Sequence, residues 1–454
     1  MESIGQFIIK FSNIAWGAPL LILLLGGGSW FLIYSRFIPF RYLHHAVLIL
    51  TGRYDNPDEP GQLNHYQALS TALASTIGMG NVSGVAVAIV TGGPGAIFWM
   101  WISALIGVAT KFFTNTLAVM YRGRDDQGQV QGGPMYFITA GLGKNWKPLA
   151  VFFSVVCLIG VSPLFQTNQL TQVIRDVILI PNGVQTGFVT DLITGLMIAG
   201  IVALVVIGGV KRIGSAAGRL VPFMVIVYMV AVFYILFSHP GNILPGLKLI
   251  ITDAFTGKAV AGGAMGAVLI TGVRRAAFSN EAGLGTAPLA HGAAKTSEPV
   301  REGLVAMLGP IIDTIVVCSL TALTIIVTGM WQHPDVNGIT LTAEAFEQGI
   351  PVYGPYILIV SISIFAITSL FAFPYYGGKC VTYLFGTRWV KLYHVIYTAS
   401  ILIGATSTLT VIISLIDGAF ALMAIPTMVS AILLSPKVMK EAKSYFARLK
   451  EETA

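Results

Sequence analysis

YQALSTALASTIGMGNVSGVAVAIVTGG, residues Tyr66 to Gly93, is long and uncharged enough to cross a bilayer, yet its middle is a poor helix. Ser75, Thr76, Gly78, Gly80, Asn81, Ser83 and Gly84 crowd one short window. Glycine costs about 1 kcal/mol in a helix interior, and Ser, Thr and Asn offer the backbone competing hydrogen bonds. Irregular backbone at membrane depth survives only where protein buries it or a wet cavity is lined by it. A span that breaks in its middle therefore marks a ligand or ion site. A close helix–helix contact through small residues is the other reading.

The composition agrees with a membrane setting. The 454-residue chain is 55% hydrophobic and 10% charged, against about 25% charged in soluble domains. Its apolar runs are too continuous for barrel strands, so the class is an all-α polytopic membrane protein. Glu2 and Lys10 precede a full-length apolar run with no clear small-residue cleavage site, and no cleavable signal is expected. Cys157, Cys318 and Cys380 all sit in apolar runs and suggest neither disulfides nor zinc. The net charge of +7 follows from topology, and no nucleic-acid partner is expected.

Hydropathy predicts about eleven spans. They are Trp16–Ile38, the broken Tyr66–Gly93, Ala96–Tyr121, Leu149–Ile174, Leu192–Val210 and Leu220–Phe237, then the broken Ala259–Gly285, Leu304–Met330, Pro355–Phe385, Val390–Ser407 and Leu409–Leu434. Most Lys and Arg fall after the odd-numbered spans, with Arg274 and Arg275 counted at the seventh span's end. The positive-inside rule then places the protein in the cell membrane with its N-terminus outside and its C-terminus cytoplasmic. The outer loop Trp331–Gly354 contains LTAEAFEQG, read as a short helix with Thr342 at its N-cap, either a lid or an ordinary ordered loop. Residues 437–454 read as a basic amphipathic tail resting on the anionic inner leaflet.

The seventh span repeats the oddity of the second. AVAGGAMGAVLITGVRRAAFSNEAGLGTAPLAHGAA is loosened by Gly262, Gly263, Gly266 and Gly272, then interrupted by Arg274–Arg275 and by Ser279, Asn280 and Glu281. Interrupted apolar segments at matching places in two halves point to a transporter binding site. The chain divides into a leading helix and loop (1–65), a first five-helix repeat (66–238), a second of opposite orientation (239–436), and the tail. Broken helices offer N–H groups to an anion and carbonyls to a cation. A small zwitterion with a hard cation such as Na⁺ uses both.

GGPGAIFWMWISALIG (Gly92–Gly107) and RRAAFSNEAGLGTAPLAHGAA (Arg274–Ala294) resemble the two marked segments of the alanine/glycine:cation symporter family. The likeness extends over nearly the whole chain. It implies a LeuT-type inverted repeat that carries alanine or glycine with Na⁺, or with H⁺ in some members. Thr76–Asn81 resembles the unwound segment of the first core helix in LeuT-type neurotransmitter:sodium symporters. By that likeness Ser75, Thr76, Gly78, Met79 and Gly80 would line the substrate, and the carbonyls of Ala74 and Ile77 would face sodium. Thr368 and Ser369 look like the paired hydroxyl ligands of the same ion, with the Phe365 carbonyl as a fifth oxygen; hydroxyls bonded back to their own helix are the plainer reading. Asn81 with Thr271 would form a second sodium site, as in those relatives.

The remaining walls are drawn from the fourth and seventh spans. Gln166 needs partners for its buried amide, either the ligand or a neighbouring helix. Thr271, Gly272, Val273, Arg274, Arg275 and Ala276 are expected to present free backbone groups at the second break, and Phe278 to bound the side-chain pocket. Met79 and Phe278 would restrict that pocket to alanine or glycine by steric exclusion. The arginine pair departs from the LeuT-type pattern; it is either a cytoplasmic gate paired with Glu281 or a topology anchor. Lys111, Asp313 and Asp417 lie inside spans, where charge is costly and functional by default, and the two aspartates keep H⁺ coupling open. A channel would need a continuous polar pore. An enzyme would need a His/Asp/Glu or Ser/Lys cluster at common depth, which the sequence does not suggest. The expectation is a monomeric secondary symporter, not an enzyme, with an H⁺-coupled carrier as the alternative and an ion channel behind it.

Overall fold

A computed structural model describes residues 2–206, 209–255, 264–333 and 338–453. The start of the seventh expected span, with Gly262 and Gly263, lies outside the described residues. The chain runs through α1 (Glu2–Ala15), α2 (Ala18–Tyr34), α3 (His65–Thr76), α4 (Met79–Gly92) and α5 (Gly95–Met120). There follow α6 (Lys147–Gly160), α7 (Leu164–Ile174), α8 (Phe188–Val206), α9 (Gly209–Ser238), α10 (Pro240–Asp253), α11 (Ala264–Asn280) and α12 (Ala287–His291). The last are α13 (Pro299–Val327), α14 (Ile339–Gly349), α15 (Gly354–Phe385), α16 (Val390–Thr406) and α17 (Leu409–Thr453). Among the described residues, 8 helices are long and apolar enough to cross a membrane, and 9 if the pair Ile4–Ala15 and Ala18–Tyr34, bent by 47°, is one span. Helices α11 and α16, at 17 residues each, fall on the two other spans that hydropathy predicts.

The most buried span is the broken one: 89% of its apolar window is enclosed by protein. Asn64 starts it with a capping box, accepting from the Gln67 N–H at 2.8 Å while the Gln67 side chain accepts from the Asn64 N–H at 3.2 Å. Helix α3 stops at Thr76 because Ile77 turns to an extended ψ of 97°. Helix α4 restarts at Met79, and Asn81 caps it by accepting from the Gly78 N–H at 2.9 Å. The expected break is present, between Thr76 and Met79.

The second break falls later than the sequence suggests. Helix α11 is continuous from Ala264 to Asn280, so the backbone of Thr271–Ala276 is inside a helix and offers no free groups. The interruption begins at Glu281, which has a positive φ of 54°, and continues through Gly283 and Gly285 at φ 87° and 93°. Gly283 and Gly285 adopt this left-handed backbone at low cost, whereas Glu281 is a non-glycine held in the left-handed region.

Three further expectations are corrected. Helix α1 is not among the spans that hydropathy predicts; it packs on α17 and brings Ser12 and Asn13 to Arg274. Thr342 is not an N-cap: α14 begins at Ile339, and the Thr342 hydroxyl donates to the Val82 carbonyl at 3.4 Å. The tail is continuous with α17, and its apolar face meets protein rather than lipid. Phe446 stacks on Tyr42 with ring centroids 3.8 Å apart, and the Tyr445 hydroxyl bonds His45 at 2.7 Å.

Candidate substrate and ion site

Between the two breaks lies a tight cavity of about 10 Å³. Seven of the expected residues line it: Ser75, Thr76, Gly78, Met79, Gly80, Gln166 and Phe278. The rest of the wall is Gly160, Phe165, Glu281, Phe373, Ile416 and Phe420. Every one of these side chains or glycines is buried. The aromatic members close on one another, with Phe278 edge-on to Phe165 at 4.8 Å and tilted against Phe420 at 5.5 Å. Phe165 precedes Gln166 in the chain, and that polar neighbour is the available signal for it. Phe373, Ile416 and Phe420 carry none, since apolar residues in apolar spans look alike.

Beside Gly78, five expected residues meet. The Ser369 hydroxyl donates to the Ala74 carbonyl at 2.9 Å and to the Phe365 carbonyl at 3.1 Å. The Thr368 hydroxyl reaches the same Phe365 carbonyl at 2.9 Å. Back-bonding and the bridge between helices therefore coexist. Ile77 sits at the break itself, where its ψ turns its carbonyl out of the helical run. A Cβ on Gly78 would lie 2.7 Å from the Ser369 oxygen, so a side chain there would displace that hydroxyl. A cluster of carbonyl and hydroxyl oxygens without thiol or imidazole suits a hard cation.

The second cation site fails on geometry. Thr271 packs against Gly92 at the far end of α4, whereas Asn81 is in its first turn. Roughly three helical turns, about 16 Å, separate those levels. The Asn81 oxygen is taken by the Gly78 N–H, and its amide donates to the Asp313 carboxylate at 2.8 Å. Asp313 also accepts from Ser279 at 2.6 Å and Thr314 at 2.8 Å. It lies in a π-helical segment, Ile311–Cys318, inside α13. Through these bonds it ties the first turn of α4 to the last of α11, next to both breaks. Among the described residues no basic side chain lies within ion-pair distance of it.

The arginine pair is not a partner of Glu281. Arg274 Nε donates to Asp417 at 2.6 Å, and Arg275 donates to the same carboxylate oxygen. Gly272 explains their level: it crosses α5 where a Cβ would lie 2.5 Å from Trp99. Both arginines thus sit towards the Gly93 turn, opposite to the basic end with which the sidedness count grouped them. Arg275 also lies over the Phe278 ring, 5.0 Å from its centroid. The ion pair and the aromatic cluster together cover the cavity on that side. Asp417 thus holds both arginines through one carboxylate oxygen.

At the opposite end a buried cluster appears that the sequence did not suggest. Glu302 accepts from His65 Nδ1 and His291 Nδ1, each at 2.5 Å. His65 opens α3 and His291 closes α12, so one carboxylate joins the basic ends of both broken segments. Arg122 fastens the chain alongside, donating to the carbonyls of Gly292 at 2.9 Å, Thr296 at 2.7 Å and Ala294. Burial draws its guanidinium down to about 10, which leaves it charged at neutral pH.

Two interrupted helices around a buried cavity, each held by side chains at both ends, define a secondary transporter of the LeuT type. MhsT in complex with L-phenylalanine shares that fold with a TM-score of 0.61 and 13% identity, over 84% of this chain and 98% of that one. The chain belongs to the sodium:alanine symporter family, which it matches over residues 1–454. An uncharacterized transporter of Haemophilus influenzae is 41% identical over 99% of this chain and 97% of its own. The sodium/alanine symporter AgcS of Methanococcus maripaludis is 39% identical over 96% and 95% respectively. The protein is a membrane symporter and not an enzyme.

Proposed function

We propose that this symporter couples inward Na⁺ flow to the uptake of small neutral amino acids, alanine and glycine, across the cell membrane. The observation that carries the reading is the Ser369 hydroxyl bridging the Ala74 and Phe365 carbonyls against the unwound Gly78. Sodium entering there turns the hydroxyl protons of Thr368 and Ser369 outward and takes five oxygens, those two with the carbonyls of Ala74, Ile77 and Phe365. The ion then bridges α15 to the break in α3–α4. Met79 and Gly80, one turn away, place the first N–H groups of α4 on the cavity wall, where a carboxylate docks on the positive helix end. Ion and substrate thus act on one hinge. The relative named a sodium/alanine symporter supports this choice of ion and cargo.

The basic end is taken as cytoplasmic, with residues 66–238 and 239–436 as the two halves that move against each other. Phe278 and Met79 limit the side chain by their bulk. Labelled alanine uptake into proteoliposomes under an imposed Na⁺ gradient, an H⁺ gradient or neither tests the reading. Na⁺-driven uptake competed by glycine supports it; uptake driven by H⁺ alone overturns the ion assignment.

A further inference from the structure

Glu281 is the one carboxylate on the cavity wall. It is 3% exposed, and its Oε2 atom has no hydrogen-bond partner among the described residues. Its backbone is held at the left-handed turn that ends α11: the Glu281 N–H donates to Ala277 at 3.0 Å, and its carbonyl accepts from Leu284 at 3.2 Å. The side chain is thus fixed at the second break rather than on a mobile loop. The charged groups that act on it are Lys111 and Asp313.

These carboxyls are not equally partnered. Asp313 is already served by Asn81, Ser279 and Thr314. The buried Glu281 Oε2 atom has no such donor among the described residues. A buried polar oxygen left without a donor is unfavourable, so the site as built calls for a donor that arrives with the cargo. Across the same cavity stands the positive N-terminal end of α4. A zwitterion lying between the two breaks meets complementary charge at both of its ends.

We propose that Glu281 binds the ammonium group of the transported amino acid. This rests on the reading of the cavity as an amino-acid site. It assigns selection for a primary amine to the second break, while the first break takes the carboxylate. A hydroxy acid of the same shape would leave the carboxylate unmatched and be rejected.

The test uses the purified full-length protein in Na⁺ and compares L-alanine with 2-hydroxypropionate, which replaces the ammonium by a hydroxyl. Wild type is expected to prefer alanine strongly. Glu281→Gln should weaken alanine binding by about 30-fold or more, narrow its preference over 2-hydroxypropionate, and leave the Na⁺-induced rise in Tm unchanged. Glu281→Asp should retain the preference with reduced affinity, and it reads the same ratio should the Gln variant fail to fold. Alanine binding within about twofold of wild type in Glu281→Gln, or parallel loss of both ligands, overturns the proposal. Loss of the Na⁺ response also overturns it, by giving Glu281 to the ion. Wild type that binds no small amino acid refutes the proposed cargo instead, so the two failures are distinguishable.

Discussion

The Ser369 hydroxyl reaches across from α15 to the Ala74 carbonyl, 2.9 Å away, at the turn before the first broken helix comes apart. Two helices distant in sequence are joined there by oxygens alone. An ion taking the place of that hydrogen bond would hold the same oxygens more tightly, which is how cation binding can act on the shape of a helix break.

Ser369→Ala should therefore weaken the apparent affinity for Na⁺ while sparing the fold. A bond to a charged group is worth about 1.5–3 kcal/mol, which corresponds to roughly a 10- to 100-fold rise in the half-saturating concentration. Thr368→Ala should act in the same direction. Uptake of labelled alanine measured against Na⁺ concentration checks both. An unchanged sodium curve in the two variants would move the ion elsewhere.

Gly78 and Gly80 are expected to respond differently to the same change. A Cβ on Gly78 meets the Ser369 oxygen at 2.7 Å, a distance that forces α15 or the hydroxyl to move. On Gly80 the nearest atoms are Phe278 Cδ1 and Ser279 Cα at 3.4 Å, an ordinary contact. Gly78→Ala should abolish Na⁺-driven uptake. Gly80→Ala should keep glycine uptake and lose alanine first, because the methyl narrows the cavity beside Phe278. Equal behaviour of the two variants in a glycine-versus-alanine uptake assay would contradict the placement.

The first break is legible because a run of Gly, Ser and Asn inside an apolar span weakens the helix without adding apolar surface to pack. The oxygen pair Thr368–Ser369 is legible only by resemblance, since hydroxyls in helices usually bond back to their own turn. The second break is misplaced by the sequence for a physical reason. Charged residues look like interruptions in a hydrophobic run, yet Arg274 and Arg275 stay helical, with Asp417 of α17 pairing both and Ser12 and Asn13 of α1 accepting from Arg274. The true break at Glu281–Gly285 depends on left-handed φ values that a string of residues shows only weakly. The histidine cluster is hidden because His65, His291 and Glu302 meet through tertiary packing, each looking alone like the end of a span.

Asp417 serves two guanidinium groups, so its removal should be worse than removal of the cluster around it. Deleting one partner of a buried ion pair costs about 3–5 kcal/mol, whereas an apolar replacement of the pair is often nearly neutral. Asp417→Asn is expected to lower stability by about that amount. Adding Arg275→Met should recover part of it, since Arg274 keeps Ser12 and Asn13. Thermal unfolding of the single and double variants in detergent measures the coupling. Strictly additive losses would show that Arg275 and Asp417 do not depend on each other.

Glu302 offers the corresponding test at the basic end. Its two oxygens are the Nδ1 partners of His65 and His291, and all three side chains are 0–1% exposed. Glu302→Ala leaves both imidazoles without that partner in a site closed to water, for a loss of about 3–5 kcal/mol. Glu302→Gln keeps an oxygen and an N–H in place, and a neutral imidazole can accept from the latter, so its loss should be smaller. Because the carboxylate joins α3 to α12, the effect should be local as well as global. Backbone hydrogen exchange should rise at Ala287–His291 and at the start of α3 in Glu302→Ala before it rises in α8 or α16, which the cluster does not touch. Uniform exchange across the molecule, or none beyond wild type, would show that the two broken helices are fastened at this end by Arg122 and its carbonyls rather than by the buried carboxylate.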